Sequence, residues 1–414
     1  MTNKSLQLGL QDLKLAARSL LRHRRRSALA VGIVAGGVIA FLLAGGFINW
    51  ILVSMREATI HSQLGHVQIT RPDYLSKGVA DPYRYLLPEV STQEAAIKQV
   101  KGLKTITPRL AFSGLISKDD ATISFLGEGI DPVSEAPITD EISIVSGKDL
   151  TESPPDSVIV GQGLAASIGA KAGDRLVLLS TTRSGSLNAV EATVAGLFVT
   201  VSKPYDDSVL RAPIELARRL VGVSGATSWV VLLDETDETD AAVATLRRTL
   251  DPAQFEVTPW TALADFYNKT VELFSKQVGI VRLLIGMIVI LSITNTLTMS
   301  VMERTNEIGT AMALGIARVG ILRQFLFEGV LIGIVGGIGG SVVGWLLSVS
   351  ISAVGIPMPP APGMTEGYLG EIQLSLPLIQ DSLTLAIFTT LLASLFPAWK
   401  ASRMAIVDAL RYQR

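Results

Sequence analysis

Chemistry needs particular side chains at particular spacings, and this chain offers few of them. It has three histidines and no cysteine. His61 and His66 lie five residues apart, off the helical spacing of paired metal ligands, and no thiolate is present to complete a tetrahedral site. Asp206-Asp207 and the acidic run from Asp234 to Asp240 can be drawn as metal or acid/base groups, but a run of like charge in a turn is ordinarily solvated. Ser184 and Ser186 lack a histidine partner, because His61 and His66 fall beside an apolar stretch. Gly161-x-Gly163 opens like a dinucleotide-binding loop; the third glycine, Gly169, has the wrong spacing and no long helix follows. No Gly-x-x-x-x-Gly-Lys-Ser/Thr phosphate loop occurs, so the chain is not expected to hydrolyse ATP. The pattern is that of a binding and transmission module, with no catalytic residues, no metal site and no directly bound cofactor.

The most patterned polar segment is Glu303-Arg-Thr-Asn-Glu-Ile-Gly-Thr-Ala-Met-Ala-Leu-Gly-Ile-Ala-Arg318. It reads as a short amphipathic helix with charges at Glu303, Arg304 and Glu307. Such a helix lies on a membrane or docks a partner.

The elements around it set its place. Four apolar stretches run from Ser27 to Met55, Leu283 to Met302, Gly329 to beyond Ile356, and Ser382 to Trp399. A bilayer core needs about 20 apolar residues per helix, so each can span it. Lys4, Lys14, Arg18, Arg22 and Arg24 to Arg26 precede the first stretch. Arg304, Arg318 and Arg323 fall between the second and third, and Lys400, Arg403, Arg411 and Arg414 follow the fourth. Short basic loops stay cytoplasmic, which predicts both termini inside and residues 56–277 outside. Residues 56–277 hold 21 Lys and Arg against 29 Asp and Glu, a net of −8, which the whole-chain net of −1 conceals. The basic N-terminus abuts a span, where anionic headgroups attract it, and does not imply nucleic acid. Its apolar run is too long for a cleaved signal peptide.

The expected organisation is a cytoplasmic amphipathic N-terminus (1–26), a first span (27–55), an outer domain (56–277), a second span (278–302) and a cytoplasmic coupling helix (303–324). A third span (325–355), an outer loop (356–376), a fourth span (377–399) and a cytoplasmic tail (400–414) complete it. The outer domain reads as mixed α/β. Strands are predicted at Ala121–Ile130, Ser157–Gly161, Asp174–Thr181, Glu191–Val199 and Ser228–Asp234. Helices are predicted at Thr92–Val100, Gly163–Ile168, Pro213–Val221 and Glu238–Leu250. From Trp260 to Met302 no strong breaker interrupts a long helix. In the second stretch Thr294, Asn295, Thr296 and Thr298 suit interhelical hydrogen bonds, and in the third Gly333/Gly337, Gly336/Gly340 and Gly340/Gly344 allow close helix approach. Arg282, Glu328 and Asp381 sit at span edges, within reach of the interface.

The polar segment closely resembles the coupling segment of the FtsX-like permease family, at Glu307, Ile308, Gly309, Leu314 and Gly315; Asn306 stands where that family often has arginine. Residues 156–179, Ala195–Phe198 and Pro213–Ala217 resemble the periplasmic core domain of MacB-type ABC transporter permeases. Ala16 to Leu21 and Ser394-x-x-Pro397-Ala398-x-x-Ala401 fit the same family. Leu64 to Ile69 and Met358 to Met364 look closest to its lipoprotein-releasing LolC/LolE branch.

The resemblance implies a membrane α-helical fold of four transmembrane helices carrying a large extracytoplasmic α/β domain, in the bacterial inner membrane. It implies a permease subunit, not an enzyme, working with a cytoplasmic ABC ATPase dimer that holds the ATP and Mg. Further implied partners are a second permease subunit (identical or related), a periplasmic chaperone or adaptor, and membrane lipids. Glu303, Arg304, Glu307, Ile308, Gly309, Leu314 and Gly315 would couple to the ATPase. A lipoprotein or other amphiphile would pass near Gly36, Val38, Phe41 and Leu42 of the first span and Ile285, Ile288 and Leu291 of the second. Efflux with an adaptor, in the manner of MacB, and FtsX-like control of a cell-wall hydrolase are the alternative functions.

Overall fold

The computed structural model describes residues 16–18, 20–22, 24–78, 81–140, 142–200, 202–359, 368–406 and 409. Pro360 to Met364, used above for the branch resemblance, lie outside them, as do Lys4, Lys14, Arg411 and Arg414. In chain order the main elements are α1 (Arg24–Thr59), β1 (Val67–Thr70), β2 (Leu103–Lys118), β3 (Ala121–Ile130), β4 (Ser143–Gly147), β5 (Ser157–Gly161), α2 (Gln162–Ile168), β6 (Arg175–Thr181) and β7 (Leu187–Val199). Then come β8 (Val209–Pro213), α3 (Ile214–Val221), β9 (Ser228–Leu233), α4 (Thr239–Thr249), β10 (Glu256–Pro259), α5 (Asp265–Glu303), α6 (Thr305–Ala313), α7 (Arg318–Val354) and α8 (Leu376–Ser402). They fall into two compact units. One comprises Met1–Leu52, Val271–Pro357 and Leu369–Arg414; the other comprises Val53–Thr270 and Met358–Tyr368.

The first unit is a bundle of four helices long and apolar enough to cross a membrane. α7 carries two rows of glycines on different faces. A Cβ at Gly333 would stand 2.3 Å from Thr390 Oγ1 of α8, and one at Gly340 would stand 2.8 Å from the Ala35 carbonyl oxygen of α1. The small-residue spacing is thus used for packing within the chain. Val34, Val38, Leu42, Val289, Ile293, Leu297, Ile332 and Ala386 form the buried core. Pro397 inside α8 cannot donate to the Ala393 carbonyl, and the Thr294 hydroxyl of α5 donates to that oxygen instead at 3.0 Å. Thr296 and Thr298 bond back to their own helix, so of the three threonines only Thr294 joins two spans through a hydrogen bond.

The second unit is built on a ten-stranded sheet. Strands β2, β3, β8, β5, β7 and β6 pair in succession, and β6 pairs back to β2, closing a six-stranded barrel. The β3/β8 and β5/β7 pairs are parallel. Leu110, Phe112, Ile116, Phe125, Val160, Leu178, Val194 and Leu210 fill the barrel, with α3 buried against it. β9, β1 and β10 extend the sheet from β2. Here Val67, Ile69, Trp229 and Val231 pack with Val243 and Leu246 of α4 in a separate core.

Within this unit the end of α1 becomes a π turn, Ile60–Leu64, stopped by Gly65 at φ +61°. A side chain at Gly65 would collide with Val230 at 2.3 Å. His66 follows. Its Nδ1 accepts from the Leu233 amide at 3.1 Å, which leaves Nε2 to donate to Thr236 Oγ1 at 3.0 Å. Burial first, then the neighbouring His61, Arg56 and Lys104 charges, lower its pKa to about 4 against the pull of Glu57. The unfolded chain takes up this proton near pH 6.5 and the folded chain only near 4. Stability therefore falls as pH drops through that window, by up to about 3 kcal/mol. Unfolding midpoints of the full chain at pH 7.5 and pH 5 should show the loss, and His66→Asn, whose side-chain oxygen can replace Nδ1, should reduce it. An unchanged pH dependence in the variant would assign the effect elsewhere.

Candidate functional site

α6 sits at the end of the bundle where α5 finishes and α7 starts. Ile308 and Met312 bury one face of it against Val301, Ile321, Phe325, Ala398 and Ala401. The flanking charges hold it in place. Arg26 of α1 grips both carboxylate oxygens of Glu303. Arg304 donates to Glu328 at 3.0 Å, stacks over the Phe325 ring at 5.5 Å, and reaches Glu307 at 3.4 Å. Glu328 is 2% exposed, so it does not reach the interface as its place at a span edge predicted; Arg304 neutralises it inside the protein. Arg282 and Asp381 approach to 3.8 Å.

The predicted coupling residues therefore divide. Ile308 and Gly309 are buried, and Glu303 and Arg304 are engaged within the bundle. Glu307 is half-exposed, and Arg22 reaches it at 3.6 Å. Leu314 is 83% exposed, and Gly315 has φ +95° with open space around it. Ile316 and Val319 add exposed apolar surface beside them. The helix expected over 303–324 is interrupted: α6 ends at Ala313, Gly315 takes a left-handed conformation, and α7 begins at Arg318.

The predicted path residues divide as well. Val38, Phe41 and Leu42 are buried, Val38 and Leu42 lying against the glycines of α7. Ile285 packs near Gly37. Gly36 is open, and Ile288 and Leu291 are exposed. The seven do not line one surface of a single chain.

Two family matches decide the assignment. Residues 27–249 match the MacB-like periplasmic core domain, and residues 279–406 match the FtsX-like permease C-terminal family. The chain belongs to the FtsX/MacB-like family of ABC transporter permeases. It is similar to the lipoprotein-releasing system transmembrane protein LolC of Neisseria meningitidis, with 23% identity over 94% of this chain and 93% of that protein. It is similar also to the macrolide export ATP-binding/permease protein MacB of Hyphomonas neptunium, with 26% identity over 97% of this chain and 60% of that longer protein. An ABC transporter permease of Methanocaldococcus jannaschii shares 23% identity over 96% of each chain.

This permease has a second polar constellation, whose members carry no spacing pattern in the sequence. Arg211 is fully buried; its Nη2 donates to the Ser62 carbonyl at 2.7 Å and its Nε to Glu128 at 3.0 Å. Tyr205 donates to the same carboxylate at 2.7 Å. Arg109 is held by the buried Glu135 and donates to the Gln63 carbonyl. Burial opposes ionisation of Glu128, but Arg211, Arg109 and the two hydrogen bonds outweigh it and hold the carboxyl below its usual range. Burial pushes the Tyr205 hydroxyl up, keeping it a donor. Both arginines clamp carbonyls of the π turn, where the helix end is negative. The available signal was a charge inside the apolar strand Val209-Leu-Arg-Ala-Pro213.

Proposed function

We propose that this permease is the membrane subunit of a lipoprotein-releasing transporter driven by a separate cytoplasmic ATPase dimer. Its termini and α6 would face the cytoplasm, and residues 56–277 the periplasm, in a bacterial inner membrane. ATP and Mg would be bound by the ATPase. Closure of that dimer would push on α6. Because Arg26, Arg304 and the Ile308/Met312 core fix α6 to the spans, the load would pass into α1 and α5. Both are unbroken, over 36 and 39 residues. The Arg109/Arg211 clamp would take up the load at the end of α1. Cargo would be a lipoprotein or other amphiphile, handed to a periplasmic chaperone.

The observation that carries this reading is α6: Arg26 and Arg304 fix it to the spans through Glu303 and Glu328 while Leu314, Ile316 and Val319 stay exposed, which suits an anchored surface pushed by a separate partner. The likeness to LolC of Neisseria supplies the cargo class. A second permease subunit, identical or related, would cover the exposed face of α5. There Ile288 and Leu291 stand beside the exposed polar Asn295, and a polar group in hydrocarbon gains from a partner. Gly36, Ile288 and Leu291 would then border the cargo path. The MacB relatives favour a second reading, efflux with a periplasmic adaptor.

Depletion of the permease in its own cells separates the two. Lipoproteins should accumulate in the inner membrane with macrolide susceptibility unchanged. Raised macrolide susceptibility with normally sorted lipoproteins would establish efflux and reject lipoprotein release.

Glu307→Arg tests the docking surface and its cytoplasmic orientation together. Glu307 is half-exposed and its pair with Arg22 is a surface one, while Arg304 keeps Glu328 and Phe325 without it, so the change should alter stability by under about 1 kcal/mol. Co-purification of the ATPase should nevertheless fall at least tenfold. Full co-purification would make Glu307 a solvated helix residue.

A further inference from the structure

A crevice of about 220 Å³ opens between α5, α6 and α8, lined by Val301, Met302, Thr305, Pro397, Lys400 and Met404, with Thr298 at its wall. Its hydroxyls are already spent. Thr298 donates to the Thr294 carbonyl at 2.7 Å, and Thr305 to the Met302 carbonyl at 2.8 Å. What remains is an apolar slot with one cation on its wall.

That cation is Lys400. Among the described residues Lys400 makes no ion pair or hydrogen bond. Among the described residues the acids at this end of the bundle are taken: Glu303 by Arg26, Glu328 by Arg304, and Glu307 by Arg22 and Arg304. Arg403 lies three residues beyond Lys400. It stacks on Trp399 at 4.9 Å, and no carboxylate pairs with it among the described residues. Basic residues with an indole at the end of a span mark the headgroup level of a bilayer. An apolar slot in that position, with Lys400 on its wall and Arg403 three residues on, matches a ligand with a hydrocarbon chain and an anionic head.

We propose that the crevice holds one anionic phospholipid, with an acyl chain between α5 and α8 and its phosphate at Lys400 and Arg403. A free phosphate is the poorer match, because the slot offers it no buried donor. Thr305 opens α6, so the occupant touches the first turn of the coupling helix. Pro397 helps form the slot, since α8 is without one backbone hydrogen bond there. The inference does not depend on the cargo.

The test uses the full chain, purified in mild detergent and equilibrated with mixed phosphatidylglycerol and phosphatidylcholine, then examined by native mass spectrometry. One phosphatidylglycerol per chain should be retained in at least tenfold preference. Lys400→Glu should abolish the preference. Met302→Trp, which fills the slot and keeps the charge, should abolish retention. Lys400→Gln serves should the charge reversal fail to accumulate. Arg282→Gln, at the other end of the bundle, should change nothing. Soluble glycerophosphoglycerol should not displace the lipid. Equal retention of the two lipids, retention indifferent to both crevice variants, or displacement by the soluble headgroup would overturn the proposal.

Discussion

Arg211→Met is expected to lower the unfolding midpoint of the α/β unit by on the order of 10 °C. The substitution keeps much of the side-chain volume and removes the charge. It leaves Glu128 with Tyr205 as its direct donor and takes the Nη2 donor from the Ser62 carbonyl. Removing one partner of a buried pair costs about 3–5 kcal/mol, because the other charge stays buried. For a unit of roughly 200 residues each kcal/mol moves the midpoint by about 2–4 °C. The buried Trp229 and Trp260 report the transition by fluorescence. Arg219→Met is the comparison. Arg219 pairs with Asp156 on the surface, with more than half of each side chain exposed, and its loss should cost under about 1 kcal/mol. Equal midpoints for the two variants would show that the Arg211 network contributes no more than a surface pair.

Gly340→Leu should disrupt the bundle, and Gly339→Leu should not. A Cβ at Gly340 meets Val38 Cβ at 2.8 Å and the Ala35 carbonyl oxygen and Cα at 2.8 and 2.9 Å. Two of these contacts are backbone and cannot rotate away, so α1 and α7 must part. Overpacking of this kind costs about 1–3 kcal/mol or more, and the leucine must also find space beyond its Cβ. At Gly339, one position along, nothing lies within 4 Å of the added atom. Replacing glycine in a helix there gains propensity. The yield of monodisperse protein in detergent is the readout. The first variant should fall several-fold and the second should match the parent. Comparable yields would mean that the α1/α7 approach contributes little to the bundle.

The spans were legible because about twenty uncharged residues in a row have few other uses. The glycine rows on α7 were legible as close-packing sites, but not which row met which helix. Thr294 donating across to α8 was foreseen as a type of contact; that Pro397 is what calls for it was not. The strand β2 escaped notice for a physical reason. Pro108 and Gly114 interrupt it, and it changes partner along its length, from β9 at its start to β6 near its end. No single alternation of apolar residues then survives. The segment from Glu303 to Arg318 was legible as helical up to Ala313, yet which of its charges are held inside the bundle was not. Arg26 and Glu303 lie 277 residues apart, so nothing local revealed that Glu303 was engaged. Arg211 was unread because an isolated arginine carries no period; only its burial, which tertiary structure sets, gives it meaning.

The barrel closure has a consequence for molecular recognition. A ring has no terminal strand, so among the described residues the large sheet ends only at β10 and β4, of four and five residues. Neither is an inviting template. β10 finishes in Pro259, which has no amide to donate, and Arg247 of α4 already occupies the Val257 carbonyl. β4 pairs with a register shift and ends in Gly147 at φ +82°. Short, irregular or covered edges resist strand addition. An unfolded or extended polypeptide passing this unit thus finds little backbone to zip onto. Any recognition of a polypeptide by this unit would fall to side-chain surfaces, which discriminate, and not to backbone pairing, which accepts nearly any sequence.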